Sequence, residues 1–134
     1  MKKTGYSDLR VAVESGDAQM LKKMKKPLAL KQARKVVQWA RKANIKIMSF
    51  LLLGMPGETM EQMKNTVEFA SEIGCDWNVI SFVLPLLGTQ IYQDLVNKGF
   101  NVDFTDMERY TSLSGNSISE VPNEELISFR LLMY

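Results

Sequence analysis

Three short apolar segments along the chain are separated by amphipathic stretches. Residues 9–13 are rich in β-branched side chains, residues 46–53 are almost continuously apolar, and residues 77–84 form a third segment of this kind. Runs of this length, bounded by turn residues, predict β-strands. The run at 46–53 is typical of a strand covered on both faces, as in a parallel sheet.

Between and after these strands, apolar residues recur at helical spacing. The pattern predicts five helices, at about residues 18–25, 30–43, 60–73, 90–97 and 124–133. Asp17 and Asn123 are suited to cap the first and last of them. Thr59 with Gln62 fits a capping box, and Gly74 fits a C-terminal cap.

Strands that alternate with helical crossovers of this length imply parallel strands in right-handed βαβ units. The expected fold is therefore α/β, with three parallel βα units. The carboxyl ends of parallel strands lie at one edge of a sheet, where α/β proteins bind their ligands. We expect the residues that follow the three strands to lie at this edge: Glu14, Ser15, Gly54 and Pro85.

Charge is distributed unevenly along the 134-residue chain, although its net charge is only +2. Residues 1–46 hold 13 Lys/Arg and three Asp/Glu, a balance of +10, and the remainder has a balance of −8. Basic runs on helices are usually solvated faces, which is the expected interpretation here. We expect no nucleic-acid surface, because no aromatic residues interleave with the lysines as a stacking platform requires. The opposite charges also favour head-to-tail association of two copies.

Several classes of site are excluded by composition. No apolar run approaches the ~20 residues of a membrane span, and the amino terminus does not resemble a signal peptide. The single cysteine, Cys75, cannot form an internal disulfide, so a reducing cytoplasm is expected. The chain has no histidine, which removes the usual general base and metal ligand. No metal ligand and no catalytic residue is therefore assigned.

Three turns, one after each predicted strand, together resemble those of radical S-adenosylmethionine (SAM) enzymes. Val13-Glu14-Ser15-Gly16 is similar to the turn after the fourth strand of their barrels, especially in cobalamin-domain and related iron–sulfur oxidoreductase subfamilies. Residues 52–59 resemble (I/L)-x-G-x-P-G-E-T after the fifth strand, and residues 85–92 resemble P-x-P-G-T-x-x-Y after the sixth. The match covers about residues 5–98.

The resemblance implies half of a partial (β/α)6 TIM-type barrel, in which residues 1–99 supply strands four to six. Residues 100–134 would form a partly helical C-terminal extension. In the family, a Cys-x-x-x-Cys-x-x-Cys loop in the other half binds a [4Fe–4S] cluster that chelates SAM. Cys75 alone cannot replace three thiolates. Neither SAM nor a cluster is expected to bind tightly to this chain.

The resemblance assigns seven residues to the adenosyl side of the SAM pocket: Glu14, Ser15, Leu52, Leu53, Gly54, Leu84 and Pro85. The first two would lie near the ribose and the amino-acid end, the next three beside adenine, and the last two would close the base pocket. Simpler interpretations stay open. Glu14 could be a solvated charge, Gly54 could only make a tight turn, and Leu84 and Pro85 could be core or turn residues.

Half a barrel would leave one sheet face without helices. The side chains expected to meet water there are Val11, Phe50 or Leu51, Leu53, Val79 and Ser81. Exposed apolar patches favour association, so we expect a homodimer through this face or the C-terminal tail, or coverage by residues 102–134. Two functional hypotheses follow. The chain is a radical SAM oxidoreductase fragment that is not catalytic alone, or it is a standalone α/β module that binds a nucleotide or a protein.

Overall fold

The computed structural model describes residues 5–27, 29–99 and 118–131. Strands and helices alternate as the sequence predicts. The elements are β1 (Asp8–Glu14), α1 (Ala18–Lys23), α2 (Leu30–Lys42), β2 (Lys46–Leu53), α3 (Met60–Ile73), β3 (Trp77–Phe82), α4 (Gln90–Asn97) and α5 (Asn123–Leu131). None of the described helices combines the length and the apolar character that a bilayer crossing requires.

The three strands form one parallel sheet in the order β1-β2-β3, which confirms the predicted α/β class. The six-stranded barrel stays a prediction. Along β1 and β2, Ala12 pairs with Phe50 but Glu14 pairs with Leu51, so one extra residue is inserted in β1. Such a β-bulge bends the strand and re-aims the side chains that follow it. The bulge therefore lies directly before the candidate residue Glu14.

One face of the sheet is packed against helices. Ile47, Ser49, Leu51 and Leu53 alternate along β2 and are buried. A core cluster joins this side of the sheet to α2 and α3; its members are Val13, Ala33, Val37, Ala40, Ile45, Ile47, Leu51, Phe69, Ala70 and Ile73. Burying an aliphatic side chain of this size contributes about 1.5–3 kcal/mol, so this layer is the main source of stability in the sheet region.

The opposite face, which we call the open face, carries side chains that are exposed or half-buried. They are Arg10, Ala12, Met48, Phe50, Leu52, Trp77, Val79 and Ser81. Phe50, Val79 and Ser81 lie here as predicted. The prediction for Val11 and Leu53 was wrong, because Val11 packs against the core cluster and Leu53 is fully buried. Alternate residues of a strand point to opposite faces, so both belong to the helix-covered side.

The helix caps follow the sequence closely. The Asp17 carboxylate accepts hydrogen bonds from the Gln19 and Met20 N–H groups at 2.9 and 3.0 Å. Thr59 and Gln62 form the predicted capping box, and Gly74 ends α3 in the left-handed conformation. Small differences occur at other ends. Helix α1 stops at Lys23, α2 stops at Lys42, and β3 stops at Phe82. Helix α5 begins at Asn123, so the prediction that Asn123 precedes and caps this helix was wrong. Positions 132 and 133 of the last predicted helix lie outside the described residues.

The chain divides into two compact units. The first contains the residues through Leu53 together with Thr59–Ser81. It holds β1, β2, nearly all of β3, and helices α1 to α3. The second contains Gly54–Glu58 and the described residues from Phe82 onward, with α4 and α5.

Candidate functional site

Glu14 ends β1 in an unusual conformation. Its φ is +70°, in the left-handed region that non-glycine residues rarely adopt and that costs about 1–2 kcal/mol. Its carboxylate Oε1 accepts a hydrogen bond from Lys26 Nζ at 2.9 Å, and the two side chains are 22% and 32% exposed. Glu14 is therefore a paired, half-buried carboxylate and not a fully solvated charge. Strained residues of this kind persist only when their surroundings hold them, and they cluster at ligand sites.

Ser15 is fully buried, and its hydroxyl group is engaged inside the protein. Thr66 Oγ1 lies 3.1 Å from the Gln62 carbonyl oxygen, to which it donates, and it accepts from the Gly16 N–H at 3.1 Å. A hydroxyl group has one proton, so the Ser15 hydroxyl must be the donor in its 3.0 Å contact with Thr66. Ser15 Oγ also accepts from the Asp17 N–H at 3.0 Å. These bonds hold the turn after β1, and a contact between Ser15 and SAM stays a prediction.

The same turn lies directly against α3. A Cβ atom on Gly16 would lie 2.5 Å from Phe69 Cβ and 2.7 Å from both the Asn65 carbonyl oxygen and Thr66 Cα. The Asp17 carboxylate accepts a further hydrogen bond from Asn65 Nδ2 at 3.2 Å. No local sequence pattern indicates this packing, because it joins residues about 50 positions apart. The turn after β1 can therefore lie this close to α3 because position 16 is a glycine.

The turn after β2 is held by a buried carboxylate. Glu58 has no exposed surface, and its Oε2 accepts from the Gly54 and Met55 N–H groups at 2.6 and 2.9 Å. The Glu58 N–H donates in return to the Met55 carbonyl at 2.9 Å. Gly54 has φ +82°, and the described atoms nearest to an added Cβ, on Phe82 at 3.6 Å and on Leu126 at 4.0 Å, are at ordinary contact distance. The positive φ therefore explains why glycine stands at position 54. The role of Glu58 in holding this turn was indicated in the sequence by its position in the motif.

The apolar candidates differ in exposure. Leu52 is half-buried on the open face, whereas Leu53 is fully buried. Because Glu14 pairs with Leu51, the first unit brings Glu14 beside the carboxyl end of β2, where Leu52 and Leu53 stand. In the second unit, Leu84 is half-buried and Pro85 is buried, both in the loop that follows β3. Their roles toward adenine stay predictions.

Two ionisable groups lie at the opposite edge of the sheet, where β3 begins. Burial raises the pKa of the Cys75 thiol above its ordinary value, which keeps the thiol protonated at neutral pH. Lys46 Nζ, at 2.9 Å, and the Ile47 N–H, at 2.8 Å, both donate to the Asp76 carboxylate and hold its pKa below the usual range. Cys75 thus lies in the helix-to-strand turn as predicted, away from the candidate residues at the strand ends.

The family that the three turns resemble uses a [4Fe–4S] cluster. A cluster of that type needs three protein thiolates, and the chain contains one cysteine, so its donor set does not fit. Within residues 5–27, 29–99 and 118–131, no three or more His, Cys, Asp or Glu side chains are grouped to hold a metal ion. No step that passes through a cluster is assigned to this chain.

Comparison with known proteins identifies the family. The profile of the Radical SAM superfamily matches residues 1–70. The chain is 28% identical to the cytidylyl-2-hydroxyethylphosphonate methyltransferase of Streptomyces wedmorensis, over 75% of this chain and 20% of that protein. It is 22% identical to an uncharacterized methyltransferase of Pyrococcus horikoshii, over 98% of this chain and 30% of that protein. A probable threonylcarbamoyladenosine tRNA methylthiotransferase of Methanocaldococcus jannaschii is 32% identical, over 52% and 17% of the two chains. The chain thus spans less than a third of the length of these relatives, and it belongs to the radical SAM superfamily.

Proposed function

We propose that this chain supplies part of the adenosyl side of a SAM pocket in a radical SAM enzyme and does not catalyse a reaction alone. The observation that carries the proposal is the strained Glu14, which stands after a bulge at the carboxyl end of β1 in a chain of this superfamily. The relatives named above are methyltransferases and a methylthiotransferase, and we propose transfer chemistry of that class for the complete enzyme.

Glu14 has the chemistry to bind the ribose or amino-acid end of SAM. Its carboxylate oxygens accept hydrogen bonds, and both ribose hydroxyls and an α-ammonium group can donate them. The neighbouring Lys26 ammonium is a donor only, suited to a ligand carboxylate. Leu52 adds apolar surface on the open face. Ser15 and Gly16 act through the backbone, because they keep Glu14 in its strained conformation. Gly54, Leu84 and Pro85 are proposed as adenine neighbours on the family resemblance alone.

Titration of the chain with SAM, followed by ¹H–¹⁵N NMR, tests this proposal. We expect weak binding, with a dissociation constant on the order of 1 mM or above, because the iron that chelates the methionine end is missing. The amide signals of Glu14, Ser15 and Gly16 should shift. The Glu14→Gln variant should reduce these shifts at least several-fold, since it removes the charged acceptor.

The matched control is Glu61→Gln, which removes an exposed carboxylate in the first turn of α3 and should leave the shifts unchanged. Sub-micromolar affinity would contradict the proposal that the chain holds only one side of the pocket. An absence of shifts at Glu14 up to several millimolar SAM would contradict the pocket itself.

We propose further that two copies of the isolated chain associate through the open face. The apolar surface of this face is only half-buried at Met48, Phe50 and Leu52. Open strand edges, whose N–H and C=O groups are unpaired, also favour association. Analytical ultracentrifugation should give twice the 15.2 kDa mass of one chain. Ala12→Glu, at an exposed open-face position, should restore the monomer, because it places a charge in the apolar contact.

Ala18→Glu is the matched control, because Ala18 is also exposed but begins α1. It should leave the dimer intact. A monomeric mass for the unaltered chain would instead support coverage of the open face within one chain. A dimer that both variants leave unchanged would place the interface elsewhere.

A further inference from the structure

Helix α2 carries a basic surface with an exposed aromatic ring inside it. Its 13 residues include five Lys or Arg and no Asp or Glu. Trp39 lies among them and is 63% exposed. The expectation that no aromatic residue interleaves with the lysines was therefore wrong, since Trp39 stands between Lys35 and Lys42 along the chain. The premise for excluding a nucleic-acid surface no longer holds.

The helix geometry gathers these residues on one side. At 100° per residue, Lys31, Lys35, Trp39 and Lys42 fall within an arc of about 80°, and we call this set the α2 outer surface. The buried residues Ala33, Val37 and Ala40 lie on the opposite side of the helix. The three lysines are exposed and form no ion pair with the acidic residues that the structure describes.

The two arginines of α2 serve a different purpose. Arg34 pairs with Glu72 at 2.8 Å and lies over the Phe69 ring, 4.7 Å from its centroid. Arg41 packs against the C-terminal cap of α3, where its guanidinium group occupies the space beside Gly74. These contacts tie α2 to α3 within the fold. Within the part of the chain that the structure describes, the lysines of the α2 outer surface have no comparable contact.

Solvation explains exposed lysines, but it does not explain an exposed indole ring. Tryptophan has a large apolar surface and is highly buried on average. An aromatic face flanked by cations is the combination that binds single-stranded nucleic acid, since bases stack on the ring and the cations contact phosphates. An acidic peptide would use the lysines but not the ring. An anionic membrane would need a wider apolar surface than one indole, and the neighbouring Gln32 and Gln38 are polar.

We propose that the α2 outer surface binds single-stranded nucleic acid. The indole of Trp39 stacks on one base, and Lys31, Lys35 and Lys42 contact neighbouring phosphates. The distance from Lys31 to Lys42 along the helix is about 16 Å, which suits a few nucleotides. The site is independent of the proposed SAM pocket, because none of its residues belongs to that pocket.

Fluorescence anisotropy with a labelled 12-nucleotide oligouridylate tests the proposal. At low salt we expect binding that Trp39→Ala weakens by about 5- to 150-fold, the range for loss of one stacked base. Trp39→Phe should retain most of the affinity, because it keeps a ring. Exchanging the three lysines for Gln together should reduce the slope of log K against log salt by about 2, since each phosphate contact on a single strand contributes about 0.7.

The matched controls change the same residue types elsewhere. Trp77→Ala, at an exposed position of β3, and Lys64→Gln, on the exposed side of α3, should leave affinity and salt slope unchanged. Trp39 is exposed, so its variants should keep the circular dichroism spectrum of the unaltered chain. Unchanged affinity in Trp39→Ala would overturn the proposal. Equal competition by polyglutamate of the same charge, or no binding at millimolar protein in low salt, would overturn it as well.

Discussion

Replacing Gly16 with alanine is expected to lower the free energy of unfolding by about 3 kcal/mol, a large part of the stability of a domain of this size. The new Cβ would lie 2.5–2.7 Å from Phe69 Cβ, the Asn65 carbonyl oxygen and Thr66 Cα. Two of these atoms belong to the backbone of α3 and cannot move aside as the end of a flexible side chain can. Either the turn after β1 or α3 must shift, and the hydrogen bond between Ser15 and Thr66 is lost with that shift.

Urea unfolding followed by circular dichroism measures this effect. Gly88→Ala is the matched control, because Gly88 has φ +82° and none of the described residues places an atom within 4 Å of an added Cβ. That variant should lower the free energy of unfolding by only about 1 kcal/mol, the strain of a non-glycine residue at positive φ. Gly16 has no positive φ, so its effect is steric. A Gly16→Ala protein as stable as Gly88→Ala would contradict the packing of this turn against α3.

Removal of the Glu58 carboxylate is expected to open the turn after β2. In Glu58→Ala, the Gly54 and Met55 N–H groups lose a common acceptor at 2.6 and 2.9 Å. An unsatisfied buried donor costs about 1–3 kcal/mol, so a total loss of about 3 kcal/mol is expected. Amide hydrogen exchange measures the opening of this turn at individual residues. The Gly54 and Met55 amides should exchange about 100-fold faster than in the unaltered chain, the equivalent of about 2.7 kcal/mol.

Two companion variants test whether loss of the Glu58 carboxylate itself causes the lower stability and the faster amide exchange. Glu58→Gln keeps one carbonyl oxygen as acceptor but loses the charge, and it should fall between the unaltered chain and Glu58→Ala. Glu61→Ala removes an exposed carboxylate three residues away and should cost only a few tenths of a kcal/mol through the helix dipole. If Glu58→Ala left the exchange of both amides unchanged, the carboxylate would not hold this turn.

These two turns show that the residues of the family motifs have different roles. Gly16, Ser15 and Glu58 are engaged in packing and hydrogen bonds that shape the backbone. Glu14 differs, because it is half-buried and strained, and within the described residues its carboxylate pairs with the half-buried Lys26 side chain. Contacts therefore separate the motif residues that stabilise a turn from Glu14, for which we propose a contact with a ligand. Variants at Gly16 and Glu58 should change stability, and variants at Glu14 should change binding.

Local features of the fold could be predicted from neighbouring residues alone. The caps at Asp17, Thr59 and Gly74 follow from interactions over three or four positions, so the order of residues is sufficient to predict them. The bounds of β2 and α4 were predicted to the residue for the same reason. Parallel pairing followed from the length of the crossovers, and the superfamily followed from three short turns in the correct order.

Other features depend on residues that are distant along the chain. Val11 and Leu53 were assigned to the wrong face of the sheet, because only the positions of α2 and α3 decide which face is covered. The need for glycine at position 16 arises from α3, 50 residues away, and the ion pair of Glu14 with Lys26 arises from the path of the loop after α1. Trp39 is exposed because α2 packs through Ala33, Val37 and Ala40. Burial is a property of packed elements, so a linear pattern predicts which elements form, while their packing decides which side chains remain available for binding.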